Sequence, residues 1–166
     1  MTKKKEKMMS DDTYEGILST SWDNIKEPDL LPTGTYKLRT IGCYYKPGNE
    51  KLGPNLRFLY SAVAAGDDVD PDVLEDLNLA GAKAVPSELF FVSTDRDLAK
   101  IKKHLGKHTT FKMPDGDPVE TLSSGAMSKA LKGTFINGHV GRRTYNDRDG
   151  KLQEDHQVTH FSAVED

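Results

Sequence analysis

Leu131-Lys132-Gly133-Thr134-Phe135-Ile136-Asn137-Gly138-His139-Val140-Gly141-Arg142-Arg143-Thr144-Tyr145 is followed by a polar run, Asn146-Asp147-Arg148-Asp149-Gly150-Lys151, and then by Gln157-Val158-Thr159-His160-Phe161. The first part reads as a strand and the last as its return. Asp149-Gly150 is the turn between them, because both residue types tolerate positive φ. The polar run is longer than a tight two-residue loop, which predicts a bulged or frayed tip. Arg142, Arg143 and Tyr145 place basic and aromatic groups on the outgoing strand, so this ribbon is a functional candidate as well as a structural one.

Upstream of the ribbon, helix and loop signals alternate. Glu120 to Lys132 reads as a short helix weakened by Gly125. Met113 to Pro118 is a turn-rich loop. Asp95 is expected to cap a helix over Arg96 to Leu105 that Gly106 closes. Leu98, Ile101 and Leu105 share its apolar face. Arg96, Lys100, Lys102, Lys103 and Lys107 make the rest basic, either as a solvated face or as a contact for phosphate. His104 and His108 stand at a spacing used by zinc helices, but Gly106 interrupts the helix and no third ligand lies nearby. No metal site is expected.

Ala84 to Val92 reads as a strand. Asp67, Asp68, Asp70 and Asp72 lack the glycine and glutamate of a calcium loop. Asp70-Pro71 instead opens a helix over Asp72 to Leu79 that Gly81 ends. Leu56, Phe58, Tyr60 and Ala62 share one face of a strand over Asn55 to Ala64, with Arg57 and Leu59 on the other. The loop Pro47 to Pro54 joins it to a long strand over Thr35 to Tyr45. There Tyr36 and Leu38 alternate with Lys37 and Arg39, and the phase then moves to Ile41, Cys43 and Tyr45. A phase change inside one strand predicts a bulge near Thr40 or Gly42, which lets the strand bend.

Residues 1–20 read as a flexible tail carrying both charges, with too few apolar residues to bury; Lys3, Lys4, Lys5 and Lys7 make its start basic. Trp22, the one tryptophan, either docks this arm or presents a contact. Residues 21–166 form a single domain ending in a short acidic stretch. The 166 residues carry a formal net charge of −3, so the total gives no basic signature and any nucleic-acid affinity must come from uneven charge. The single cysteine, Cys43, excludes an intrachain disulfide and a cysteine-based zinc cluster, and reads as a buried small hydrophobe in a reducing compartment. No run is long and apolar enough to span a membrane. Neither a phosphate loop nor a nucleophile elbow is present, so no catalytic residue and no cofactor is expected. The element order predicts a mostly β, five-stranded antiparallel barrel, partly open, with one or two helices.

The start Leu31-Pro32-Thr33-Gly34-Thr35-Tyr36-Lys37-Leu38, the strand Leu56 to Tyr60, the helix Leu98 to Gly106 and the closing hairpin resemble phage-encoded single-stranded-DNA-binding proteins with an OB fold, in their divergent group. The resemblance spans most of residues 31–164. Gly66 to Glu88 departs from it in length and acidity. The end Phe161 to Asp166 lacks the long aspartate-rich tail, ending in phenylalanine, of bacterial homologues.

The resemblance implies a non-enzymatic, sequence-nonspecific binder of single-stranded DNA in phage replication or recombination, working in the host cell cytoplasm. It implies replication or recombination proteins as partners and a homodimer or larger assembly. Such a site needs cations for the backbone and rings for the bases. Candidate backbone contacts are Lys37, Arg39, Lys46, Arg57, Arg142 and Arg143. Candidate platforms are Tyr36, Tyr44, Tyr45, Tyr60 and Tyr145. Tyr44 and Tyr45 are adjacent and face opposite ways, so one of them is expected to be buried. Arg143 and Tyr145 share a face and make the better pair. The competing function is a protein-binding or virion structural module on the same barrel, favoured by the net charge and the acidic segment Asp67 to Asp76.

Overall fold

The computed structural model describes residues 28–165; the expected tail over 1–20 and the placement of Trp22 lie outside them. Strands β1 (Gly34–Lys46) and β2 (Asn55–Ala65) form an antiparallel hairpin. A short helix α1 (Pro71–Glu75) and a 3-10 turn (Leu79–Gly81) follow, then the two-residue strands β3 (Val85–Pro86) and β4 (Phe90–Phe91). Helix α2 (Asp95–Leu105), helices α3 (Pro118–Ser123) and α4 (Ala126–Leu131), and the ribbon β5 (Phe135–Asn146) and β6 (Leu152–Ser162) complete the chain.

The phase change in β1 is a bulge. Pairing with β2 slips between Thr40 and Gly42, so Ile41 is the extra residue and points to solvent. Before it, Tyr36, Leu38 and Thr40 are buried; after it, Cys43 is buried and Tyr44 exposed. The first half of β1 pairs with β5 and its length pairs with β2, so this one strand ties the hairpin to the ribbon.

The sheet runs β3-β2-β1-β5-β6, with β4 also on β2, giving six strands in one open sheet where a five-stranded barrel was expected. Between the edges the backbone makes one isolated parallel bridge among the described residues, Ser87 to Val158, supported by side-chain bonds from His156 to Ala84 O and from Lys83 to Asp155. Two features keep the edge short. Pro86 has no N–H to donate, and the Ser87 side chain turns back to accept from the Phe58 amide at 3.0 Å. The strand expected over Ala84 to Val92 is thereby cut into β3 and β4.

Helix α2 starts one residue earlier than the sequence implied. Thr94 is its N-cap, its hydroxyl accepting from Asp97 N–H while the Asp97 carboxylate accepts from Thr94 N–H, a reciprocal capping box. Ile101, His104 and Leu105 are buried on the sheet side. The helix expected over Glu120 to Lys132 is two helices, because Gly125 adopts φ 80° and ends the first. The expected helix over Asp72 to Leu79 shortens to α1. Its preceding acid, Asp68, is held at β1, where its carboxylate accepts from Thr35 N–H at 2.8 Å and Thr35 Oγ1–H at 2.9 Å.

The core is one cluster. It joins Leu31, the inward residues of β1 and β2, Phe90, the apolar face of α2, Leu122, Met127 and Leu131, and Ile136, Val140 and Val158 of the ribbon. Cys43 belongs to it, and burial pushes its thiol up to about 12.

Candidate nucleic-acid interface

The outward residues of β2 and the outward residues of the ribbon converge where the sheet edges approach each other. Tyr44 and Arg57 are direct cross-strand partners, which puts an aromatic ring beside a guanidinium. They line a shallow pocket of about 230 Å3 with Lys46, Asn55 and Leu89. Burial, and then repulsion from Arg143, hold the Arg57 guanidinium below its ordinary range, while Asp155 pulls the other way. Arg57 and Arg143 therefore feel each other's charge across the seam, although they lie 86 positions apart in sequence.

These two charges are poorly compensated. The Arg57 Nε is buried with no hydrogen-bond partner. Asp155, the cross-strand partner of Arg143, takes its hydrogen bonds from Lys83 Nζ at 3.4 Å and from the His156 amide at 2.8 Å. Tyr145, two residues beyond Arg143 on the same face, is 46% exposed, and Tyr44 is 55% exposed. Both rings are open enough to take a base.

The ribbon's tip is ordered by one carboxylate. Asp147 accepts from the amides of Asp149 and Lys151 and from Gln153 Nε2, each at 2.9 Å. Gly150, at φ 77°, makes the turn that Asp-Gly foretold. The Gln153 bond first, and then the Lys151 bond, hold the Asp147 carboxyl below its usual range. Asp147 is thus occupied within the tip and leaves Arg143 unpaired among the described residues.

Several candidates are placed elsewhere. Arg142 is a brace: Nε–H donates to Leu31 O at 2.9 Å and Nη1–H to Glu154 at 2.9 Å, tying the ribbon to the segment before β1. Tyr45 packs half-buried against the core, which settles its contest with Tyr44. Tyr36 is fully buried and its hydroxyl donates to Pro32 O at 2.6 Å. Lys37 and Arg39 are exposed but lie on the other half of β1, across from β5, with Lys37 Nζ 4.9 Å from the centre of the Phe135 ring.

Tyr60 is also no platform. It is fully buried, and its hydroxyl lies 2.9 Å from Nε2 of both His104 and His108. His108 Nδ1 faces the carbonyls of His104 and Leu105 at 3.1 and 3.2 Å, so it carries the proton and its Nε2 accepts. Tyr60 therefore donates to His108 and accepts from His104 Nε2–H. Burial pulls His104 down to about 2 and His108 down to about 4, keeping both rings neutral. The pair spaced like zinc ligands is a buried hydrogen-bond relay.

Comparison with protein-family models and with curated proteins returns no match. Leu89 and Asn55 were not legible as site residues. Leu89 lies between β3 and β4, and only the pairing of those strands with β2 carries it to Tyr44.

Proposed function

We propose that this protein binds single-stranded DNA without sequence preference, as a non-enzymatic component of phage DNA replication or recombination, on an OB-like arrangement of strands. The observation that carries the reading is the pair Arg57 and Arg143, two mutually repelling guanidiniums without a carboxylate bond, flanked by the open rings of Tyr44 and Tyr145. An anion bound beside the two guanidiniums offsets their repulsion. A single strand supplies phosphates there and bases for the rings, each stacked base contributing about 1–3 kcal/mol. Because the net charge is −3, attraction must be local and steeply salt-dependent.

The OB-like reading draws support from three features. One is the strand order, and another is the place of α2 in the chain between β4 and β5, with its His104 against both Tyr60 of β2 and Phe161 of β6. The third is the approach of the edges, with the Ser87–Val158 bridge and His156 Nε2–H donating to Ala84 O at 3.1 Å. Assembly into a dimer or larger species goes with this reading; sedimentation showing only an 18.4 kDa species counts against it.

Fluorescence anisotropy with labelled single- and double-stranded oligonucleotides over a salt series tests the function. The single strand should bind more tightly. The Arg57→Ala/Arg143→Ala double variant should flatten the salt slope by about 1.4, at about 0.7 per phosphate on a single strand. Unchanged affinity in a folded double variant overturns the site. Negligible binding even at low salt overturns the function in favour of a protein-binding module.

A further inference from the structure

A second strip of uncompensated charge adjoins this face. Lys100 and Lys103 on one face of α2, and Lys107 just past its C-cap, line a groove of about 280 Å3 against Thr159 and His160 of β6. Phe90, His104 and Phe161 form its floor. The acids of α2, Asp95 and Asp97, sit in its first turn, and the Asp97 carboxylate is taken up there by the Ser93 and Thr94 amides. Lys107 Nζ donates to the Phe161 carbonyl at 3.4 Å and Lys100 Nζ lies 5.7 Å from the centre of the Phe90 ring. None of the three makes an ion pair among the described residues, and Glu88 is the one carboxylate on the groove.

The groove and the arginine face lie on the two sides of one edge segment, because adjacent residues of an extended chain face opposite ways. Leu89 lines the pocket of Tyr44 and Arg57, while its chain neighbours Glu88 and Phe90 line the lysine groove. Three residues of backbone separate them. Lys100 and Lys103 stand roughly 4.5 Å apart along the helix axis and Lys107 extends the charge past the helix end, a spread suited to successive phosphates of a chain.

We propose that a bound single strand runs on from the Tyr44–Arg57 pocket, across Glu88–Phe90, into this groove, where Lys100, Lys103 and Lys107 meet its phosphates. This rests on the single-strand reading above and extends it to a second contact site, occupied only by strands long enough to reach it.

Oligothymidylates of about 5 and about 16 nucleotides, bracketing the ~4–16 taken up per OB fold, separate the two sites. The Lys100→Ala/Lys103→Ala/Lys107→Ala variant should flatten the salt slope for the long strand by about 2, at about 0.7 per phosphate. It should leave affinity for the short strand within about twofold. Lys103→Glu alone, an exposed single change, should weaken long-strand binding in the same selective way and serves if the triple variant does not fold. An unchanged long-strand slope, or equal losses on both lengths, overturns the second site while single-strand binding stands. Absence of wild-type binding to either length overturns both.

Discussion

Tyr44 and Tyr60 show how one residue type takes opposite roles by position. Tyr44 sits just after the bulge in β1 with its ring in solvent, and Tyr60 sits on the inward face of β2 with its hydroxyl between two histidines. Tyr44→Ala should therefore weaken single-strand binding by about 1–3 kcal/mol with little change in the salt slope. Its urea midpoint should stay near that of the wild type, because an exposed ring contributes little to the core. Tyr60→Phe should do the reverse. Losing the hydroxyl leaves His104 Nε2–H without its acceptor and His108 Nε2 without its donor. Each orphaned buried group costs about 1–3 kcal/mol, so a clear fall in the urea midpoint with unaltered DNA affinity is the expected result. A Tyr60→Phe variant that loses binding but keeps its stability would return Tyr60 to the binding surface.

Among the elements, the ribbon of β5 and β6 has two parts. Phe135 to Val140 is anchored by β1 on one side and β6 on the other. Arg142 to Asn146 pairs only with β6 and is exposed throughout. The outer part keeps its shape through the Arg142 brace at its base and the Asp147 carboxylate at its tip. Asp147→Ala removes the acceptor for the Asp149 and Lys151 amides and for Gln153. Hydrogen exchange at those two amides should accelerate, and single-strand affinity should fall as Tyr145 loses its fixed position. Core amides in β1 should keep their protection. Unchanged exchange at the tip would show that the Asp149-Gly150 turn holds without the side chain.

Over the molecule as a whole, acid is the expected weakness. The ordinary histidine value is 6.5, and burial lowers His104 to about 2 and His108 to about 4. Below pH 6.5 the unfolded chain takes up protons that the folded relay refuses, so stability is fully present above that pH and declines as pH falls. His156 shifts in the same direction, through burial. At about 1.4 kcal/mol per pKa unit, the relay alone should remove on the order of 3 kcal/mol between pH 7 and pH 5. Thermal melts across that range check this. A His104→Gln/His108→Gln variant, less stable at pH 7, should lose the steep fall between pH 6.5 and 5. A wild-type melting temperature flat across that range would exclude neutral, buried histidines.

The local pattern of residues was enough for the long strands and the ribbon's turn, but not for the strand over Ala84 to Val92 or the helices over Asp72 to Leu79 and Glu120 to Lys132. The inward phase of Tyr36 and Leu38, its change near Thr40, the alternation over Leu56 to Ala62 and the Asp149-Gly150 turn all follow from strand period and backbone sterics, which act between near neighbours. The same rule showed that Tyr44 and Tyr45 part company and that Arg143 and Tyr145 share a face. Which tyrosine was buried, which arginine was braced and whether the sheet closed depended on partners far along the chain. Arg142 is fixed by Leu31, Tyr60 by His104 and His108, and Arg57 is set beside Arg143 by the approach of two sheet edges. Pro86 could be read in the sequence as a weak ladder residue, but its effect on closure depended on its place at the edge of β2. Periodicity records which way a side chain points; only the packed chain decides what stands opposite it.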